Sequence, residues 1–192
     1  MQRRITEYRE HLLPRERSAR PAPALESPAE EIDDASLAAA LDAVKALPAT
    51  GELDAEVGLS EGQIRMLPVP ARLKLARGAP RTLRNFLLRD TNPQVACAAL
   101  LFNNLSDQEI EQTAASRSVQ QEVLEAICKK REWIGRYPVM KALVQNPRTP
   151  LATDLKYVPR LAVRDLRDMA KDRNVPDAVR SLALRLYRIK QK

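Results

Sequence analysis

The side chains able to do chemistry are few, and their spacing decides what they can do. His11 is the only histidine, and it stands in the N-terminal stretch, ahead of the regular apolar periodicity. Cys97 and Cys128 lie 31 residues apart, with no Cys-x-x-Cys pair and no other Cys or His nearby to complete four zinc ligands. Both fall on apolar helical positions, which predicts small buried side chains in a reducing compartment. Asp165 and Asp168 are close carboxylates, but Arg164, Arg167 and Lys171 run beside them. A general acid–base pair needs carboxyls in differing, desolvated surroundings, so interleaved acids and bases read as an exposed charged face. The chain has no phosphate-binding glycine loop, dinucleotide fingerprint or nucleophile elbow. No catalytic residue, cofactor or metal ligand is expected, and the chain is expected not to be an enzyme.

What remains is the chemistry of recognition. One cluster is Lys129-Lys130-Arg131-Glu132-Trp133 with Arg136, Tyr137 and Lys141. Trp, Tyr and Arg are the residue types that make interface hot spots, and aromatics among bases also suit stacked nucleobases. The competing reading is packing: bases are favoured at a helix C-terminus by the macrodipole alone, and Trp133 can plug a helix junction. A second cluster is Arg160, Arg164, Arg167 and Lys171, at i, i+4, i+7 and i+11, one stripe if the helix is continuous. Asp165, Asp168 and Asp172 run alongside, and each i, i+4 pair adds only ~0.2–0.5 kcal/mol while partly neutralising the stripe. The candidate partner-binding residues are Arg131, Trp133, Arg136, Tyr137, Lys141, Arg160, Arg164, Arg167 and Lys171.

Charge is divided along the chain. The net charge of +7 combines +13 over residues 62–192 with −6 over residues 1–61. Within the latter, residues 21–61 carry one base, Lys45, against ten acids. Such an acidic arm is either a solvated leader or a tethered competitor for an acidic ligand of the basic body. The N-terminus has no apolar core of signal-peptide length, and no run reaches 18 apolar residues. A cytoplasmic protein without a membrane span is expected.

These residues must be positioned by helices. Five Gly, 4% aromatic residues and a Leu- and Ala-rich apolar fraction suit short helices better than sheet. Many of the 14 Pro stand just ahead of an apolar-periodic run, where a missing N–H costs nothing. Residues 1–34 read as a tail with a Pro/Ala-rich linker (14–31), expected to be mostly disordered. Residues 35–58 read as an acidic segment whose helix over 35–47 places Leu37, Leu41, Val44 and Leu47 on one face. That helix either docks on the body as an end cap or enters a partner's groove. Residues 59–192 read as a helical repeat domain. Ser60 caps its first helix, Ser106-Asp-Gln-Glu109 is a capping box, and Ser118-Val-Gln-Gln121 repeats the device to start a helix over 119–130. Residues 131–136 read as a connection, and helices over 161–172 and 176–190 finish the chain.

The body also nearly repeats itself at an offset of about 42 residues. Val119 falls on Leu161, Leu124 on Leu166 and Ile127 on Met169; at the same offset, residues 99–104 fall on 141–146, with Leu101 on Leu143. Helical repeats of this length stack, because one pair cannot bury its apolar face alone. The tracts over 88–104 (LRDTNPQVACAALLFNN) and 142–155 (ALVQNPRTPLATDL) resemble the repeat grammar of HEAT-like and leucine-rich-repeat-variant proteins. There a short helix ends at an Asn-Pro or Asp-x-Asn-Pro turn and a proline-opened helix packs antiparallel to it. Residues 59–186 are also similar to bacterial proteins of this type. The resemblance implies an all-α, HEAT-like right-handed α-solenoid and transfers no functional residue. Leucine-rich-repeat-variant proteins sometimes carry a Cys cluster for an iron–sulfur centre, which the two cysteines here do not form. Alkylpurine DNA glycosylases are similar only in architecture and basic charge, and their nucleobase pocket uses several aromatic residues where this chain has one Trp. The expected function is a scaffold or adaptor that binds an acidic protein partner through a basic helical-repeat surface. The alternative is a nucleic-acid-binding protein whose basic body is modulated by the acidic arm.

Overall fold

Local chemistry at the helix ends divides the body into short segments. The computed structural model describes residues 32–49 and 58–191; the tail and linker expected over residues 1–34 lie outside them up to residue 31, and at their end Asp33 caps and Asp34 opens a helix. Among the described residues there are twelve α-helices, one 3-10 turn and no extended strand. The first helices are α1 (Asp34–Lys45), α2 (Glu61–Met66), α3 (Val69–Ala76), α4 (Arg81–Leu87), α5 (Pro93–Leu101) and α6 (Asp107–Ala115). They are followed by α7 (Gln121–Lys129), α8 (Arg131–Ile134), α9 (Tyr137–Gln145) and α10 (Leu151–Tyr157). A 3-10 turn (Val158–Arg160), α11 (Val163–Met169) and α12 (Asp177–Lys190) complete the chain.

Ser60 with Gln63 and Ser106 with Glu109 both form complete capping boxes, each satisfying two otherwise orphaned N–H groups. Asn92 Oδ1 caps α5 by accepting from the Gln94 and Val95 N–H groups, with Pro93 at the first helical position. Gly78 closes α3 in the left-handed region, at φ 76°. The box expected at Ser118 does not form. The Ser118 hydroxyl bonds Ser116 instead, at 2.9 Å, and Gln120 takes the N-cap without a side-chain bond to the helix, its amide donating to the Asp90 carbonyl at 3.4 Å. Gln121, expected to reach back, reaches forward to Glu125 at 2.9 Å. The expected connection over 131–136 contains a further turn of helix, α8.

Packing runs between near neighbours. α3 packs on α5, α5 on α7, α6 on α9, α9 on α10, and both α10 and α11 on α12. The core is aliphatic: Ile64, Leu83, Leu100, Ile110, Leu124 and Leu143 are among its fully buried side chains, each contributing roughly 1.5–3 kcal/mol by leaving water. Val119 and Leu161, Leu124 and Leu166, and Ile127 and Met169 are all buried. The overlay of residues 99–104 on 141–146 slips by one position. Leu101 is 44% exposed, and Leu100 is the residue buried like Leu143. With that register Asn103 falls on Asn146, and the two amides do parallel work. Asn103 Nδ2 donates to the carbonyls of Ala76 and Ala99 (2.8 and 2.9 Å), and Asn146 Nδ2 to those of Ala114 and Ser116 (2.8 and 3.0 Å).

The amphipathic segment over 35–47 forms α1, which packs on α2 with Val44 buried and Leu37 and Leu41 half-buried. Leu47, expected on the same face, is 45% exposed because the helix ends before it.

Candidate functional site

The basic and aromatic cluster sits where α7, α8 and α9 meet. Trp133 is only 8% exposed, packed in that junction, and Lys130 Nζ lies 4.1 Å from its ring centroid. The surface offered to solvent here is therefore made by Lys129, Arg131, Glu132 and the outer part of Tyr137, with Lys130 half-buried, and not by the indole. Arg136 is half-buried and ion-paired to Asp107 of α6.

Tyr137 and Lys141, one turn apart on α9, converge on α11. The Tyr137 hydroxyl accepts from the Ala162 N–H at 2.9 Å and donates to Asp165 Oδ2, while Lys141 Nζ lies 2.8 Å from Asp165 Oδ1. Ala162 is the N-cap of α11, so a hydroxyl from another helix takes the N–H of the cap residue, the donor that the N3 side chain of a capping box would otherwise satisfy. Hydrogen bonds from Lys141 and Tyr137 hold the Asp165 carboxyl below its ordinary range, and the same Asp165 bond holds Lys141 above its own. Burial and the Asp165 bond push the Tyr137 phenol up. Two of the nine candidate residues thus form a docking joint between α9 and α11. Tyr137→Phe removes both hydroxyl bonds and is expected to cost about 1–2 kcal/mol, read as a lower urea midpoint with an unchanged slope.

The stripe of Arg160, Arg164, Arg167 and Lys171 is not one helix face. Arg160 belongs to the 3-10 turn, Leu161 and Ala162 are extended, and only Arg164 and Arg167 lie on α11, which ends at Met169. Pro159 and the burial of Leu161 turn the chain there, so Arg160 is directed by its own contact, 5.6 Å from the Tyr157 ring. Arg167 lies 3.3 Å from the neighbouring Asp168. Arg160, Arg164 and Lys171 are exposed and carry no ion pair among the described residues.

Among the described residues four acidic or basic side chains are buried, and of these only Glu109, as a cap, was marked by spacing. Arg72 Nη1 donates to both oxygens of Asp90, at 2.6 Å for Oδ1, and both residues are buried. Asp90 Oδ1 also accepts from the Asn92 N–H at 2.7 Å, so the pair fixes the turn that caps α5. Glu109 is pushed up by burial, but Arg84 at 2.5 Å and the Ser106 donors reverse this and bring its carboxyl down to about 2. Asp154 of α10 is fully buried, neither carboxyl oxygen has a hydrogen-bond partner among the described residues, and desolvation pushes it up to about 8. Nothing in the sequence marks it, since it is the lone acid of a seven-residue helix.

An open depression of about 290 Å³ lies beside that helix, lined by Glu125, Cys128, Lys129, Thr153, Lys156 and Tyr157. Burial pushes the Cys128 thiol up to about 11, so it is not activated as a thiolate. Among the described residues no group of three or more His, Cys, Asp or Glu is placed to hold a metal ion, and no helix is long and apolar enough to cross a membrane. Comparison with protein-family models, with curated proteins and with solved structures returns no match.

Proposed function

We propose that this chain is a non-enzymatic adaptor in which the helices form a right-handed HEAT-like solenoid and a basic surface binds an acidic protein partner. The solenoid reading is supported by the succession α3 on α5 on α7 and by the parallel roles of Asn103 and Asn146. It is also supported by the Asx turns at Asp90, Asn146 and Asp172, each accepting from the N–H two residues on.

The observation that carries the functional reading is how the charges are used. Four of the body's acids, Asp90, Glu109, Asp107 and Asp165, are engaged by Arg72, Arg84, Arg136 and Lys141, while Glu111 and Glu132 are exposed without an ion pair among the described residues. Arg131, Arg160, Arg164, Lys171 and Arg173 are left exposed without an ion pair among the described residues. Such a surface steers an acidic partner and raises its rate of encounter. Asp168 and Asp177 interrupt it, which favours a protein over a polyphosphate, because nucleic acid asks for a continuous uncompensated track.

The test uses the full chain. Immobilised wild type is expected to retain an acidic protein that the Arg160→Glu/Arg164→Glu variant loses. Labelled single- and double-stranded oligonucleotides are expected to show no anisotropy change near physiological salt. Micromolar oligonucleotide binding that weakens steeply with salt sinks the adaptor reading and installs the nucleic-acid one.

A further inference from the structure

The way α1 is held differs from the way the other helices pack. One of its twelve residues, Val44, is buried, and Leu37 and Leu41 are half-buried. Ala40 and the preceding Ile32 are half-buried as well, and a pair of polar clamps holds the helix, one at each end. Near its N-terminus, Lys74 of α3 lies 2.7 Å from Asp34 Oδ1 and donates to the Ile32 carbonyl at 2.8 Å. At its C-terminus, Gln63 of α2 donates from Nε2 to the carbonyls of Val44 and Leu47, at 3.2 and 2.8 Å. The same Gln63 uses Oε1 to take the Ser60 N–H at 2.9 Å, so the amide is fixed in place before α1 arrives.

Three of the four polar contacts are to backbone carbonyls. Two of these carbonyls, Val44 and Leu47, lie at the C-terminal end of α1 and the third, Ile32, just ahead of its N-cap; backbone carbonyls are common to any chain, so these contacts do not depend on the side chains of α1. The contacts that do depend on sequence are modest: an acid in the first turn and an apolar row at Leu37, Leu41 and Val44. A helix of twelve residues is marginal alone and persists here through its docking.

We propose that the α2–α3 surface is a binding site for an amphipathic helix of a partner protein, and that α1 occupies it as a tethered internal ligand. The partner helix carries an acid in its first turn for Lys74, apolar residues at i, i+4 and i+7, and a free C-terminal turn for Gln63. Charge complementarity favours such a partner, because residues 62–192 carry +13 and the occupying segment lies within the acidic stretch over 21–61. The inference is independent of the basic-surface reading, since Arg160 and Arg164 play no part in it.

The probe is a fluorescent peptide copying residues 32–49, titrated with full-length protein and with a full-length Leu41→Asp/Val44→Asp variant that weakens α1 in its own chain. A tethered helix competes at an effective concentration of about millimolar, so the variant is expected to bind the peptide at least ~10-fold more tightly than wild type. Gln63→Ala/Lys74→Ala added to the variant is expected to remove that gain, with circular dichroism reporting that the body stays helical. Equal affinity for wild type and variant, or binding indifferent to Gln63 and Lys74, overturns the proposal. Hydrogen exchange on the unaltered protein gives a second reading that needs no variant. Amides of α1 are expected to exchange at least ~100-fold faster than those of α5, through local opening. Exchange of α1 only with global unfolding makes it an ordinary structural cap and sinks the idea.

Discussion

Replacing Asp154 with asparagine is expected to stabilise the protein above pH 5 and to flatten its stability profile. The carboxyl is fully buried with both oxygens unpartnered among the described residues and keeps its proton up to about pH 8 in the folded state, whereas in the unfolded chain it releases it near 3.8. For an acid whose folded value is raised, the unfolded state gains by ionising first. Stability is therefore greatest below the unfolded value, falls as pH rises between the two, and levels off above the folded one. Between pH 5 and 8 the wild type loses roughly 4 kcal/mol relative to the near-isosteric Asp154→Asn variant, a large share of the ~5–15 kcal/mol of a typical domain. Glu109 does not blur the comparison, because its carboxyl titrates near 2 in the folded protein and is the same in both chains. Urea unfolding at pH 5, 6.5 and 8 reads the effect. Parallel profiles for the two proteins show that Asp154 is ionised or partnered throughout, and the argument fails.

The second large effect lies at the buried Arg72–Asp90 pair. Asp90→Ala removes the partner of Arg72 while leaving its guanidinium buried, where Nε already lacks a hydrogen bond. An orphaned buried charge costs ~3–5 kcal/mol, far more than the pair itself contributes. The change also frees the Asn92 N–H that Asp90 Oδ1 accepts, loosening the turn that starts α5. The midpoint of thermal unfolding is expected to drop by roughly 10 °C. Removing both charges, as Asp90→Leu with Arg72→Met, is expected to recover about half of the loss, because an apolar pair no longer leaves a charge in the core. A double variant as unstable as Asp90→Ala alone would assign the loss to the turn rather than to the guanidinium.

The limits of reading this chain follow from the range of each interaction. Caps that act within three residues were legible: Ser60 with Gln63, Ser106 with Glu109, and Asn92 with the helix after it. Ser118 fits the same pattern and fails because a hydroxyl two residues earlier competes for it. The docking face of α1 was legible from Leu37, Leu41 and Val44, whereas the two side chains that clamp it come from α2 and α3. The stripe from Arg160 to Lys171 presumed a helix that Pro159 and the burial of Leu161 interrupt. Arg72 and Asp90 meet across 18 residues, and no local rule pairs them. Asp154 is the extreme case: its surroundings are set by distant helices, and a lone acid among Leu, Ala and Thr looks like a surface residue. Of the candidate interaction residues, spacing found Tyr137 and Lys141 but not what they touch, which is the Asp165 carboxylate on α11.

Trp133, packed in the α7–α9 junction with an ammonium over its ring, is the only tryptophan of the chain. Excited at the red edge of its absorption, where the four tyrosines do not absorb, the lone indole gives an emission that reports one joint and is blind to α1 and α2. Intensity and wavelength will follow the middle of the body, while far-ultraviolet dichroism averages over every helix. Coincident melts by the two probes mean that the helices unfold as one unit; a dichroic loss that precedes the optical change at Trp133 locates the first opening away from the junction. A built-in probe of this kind lets the order of unfolding along the body be read without a label.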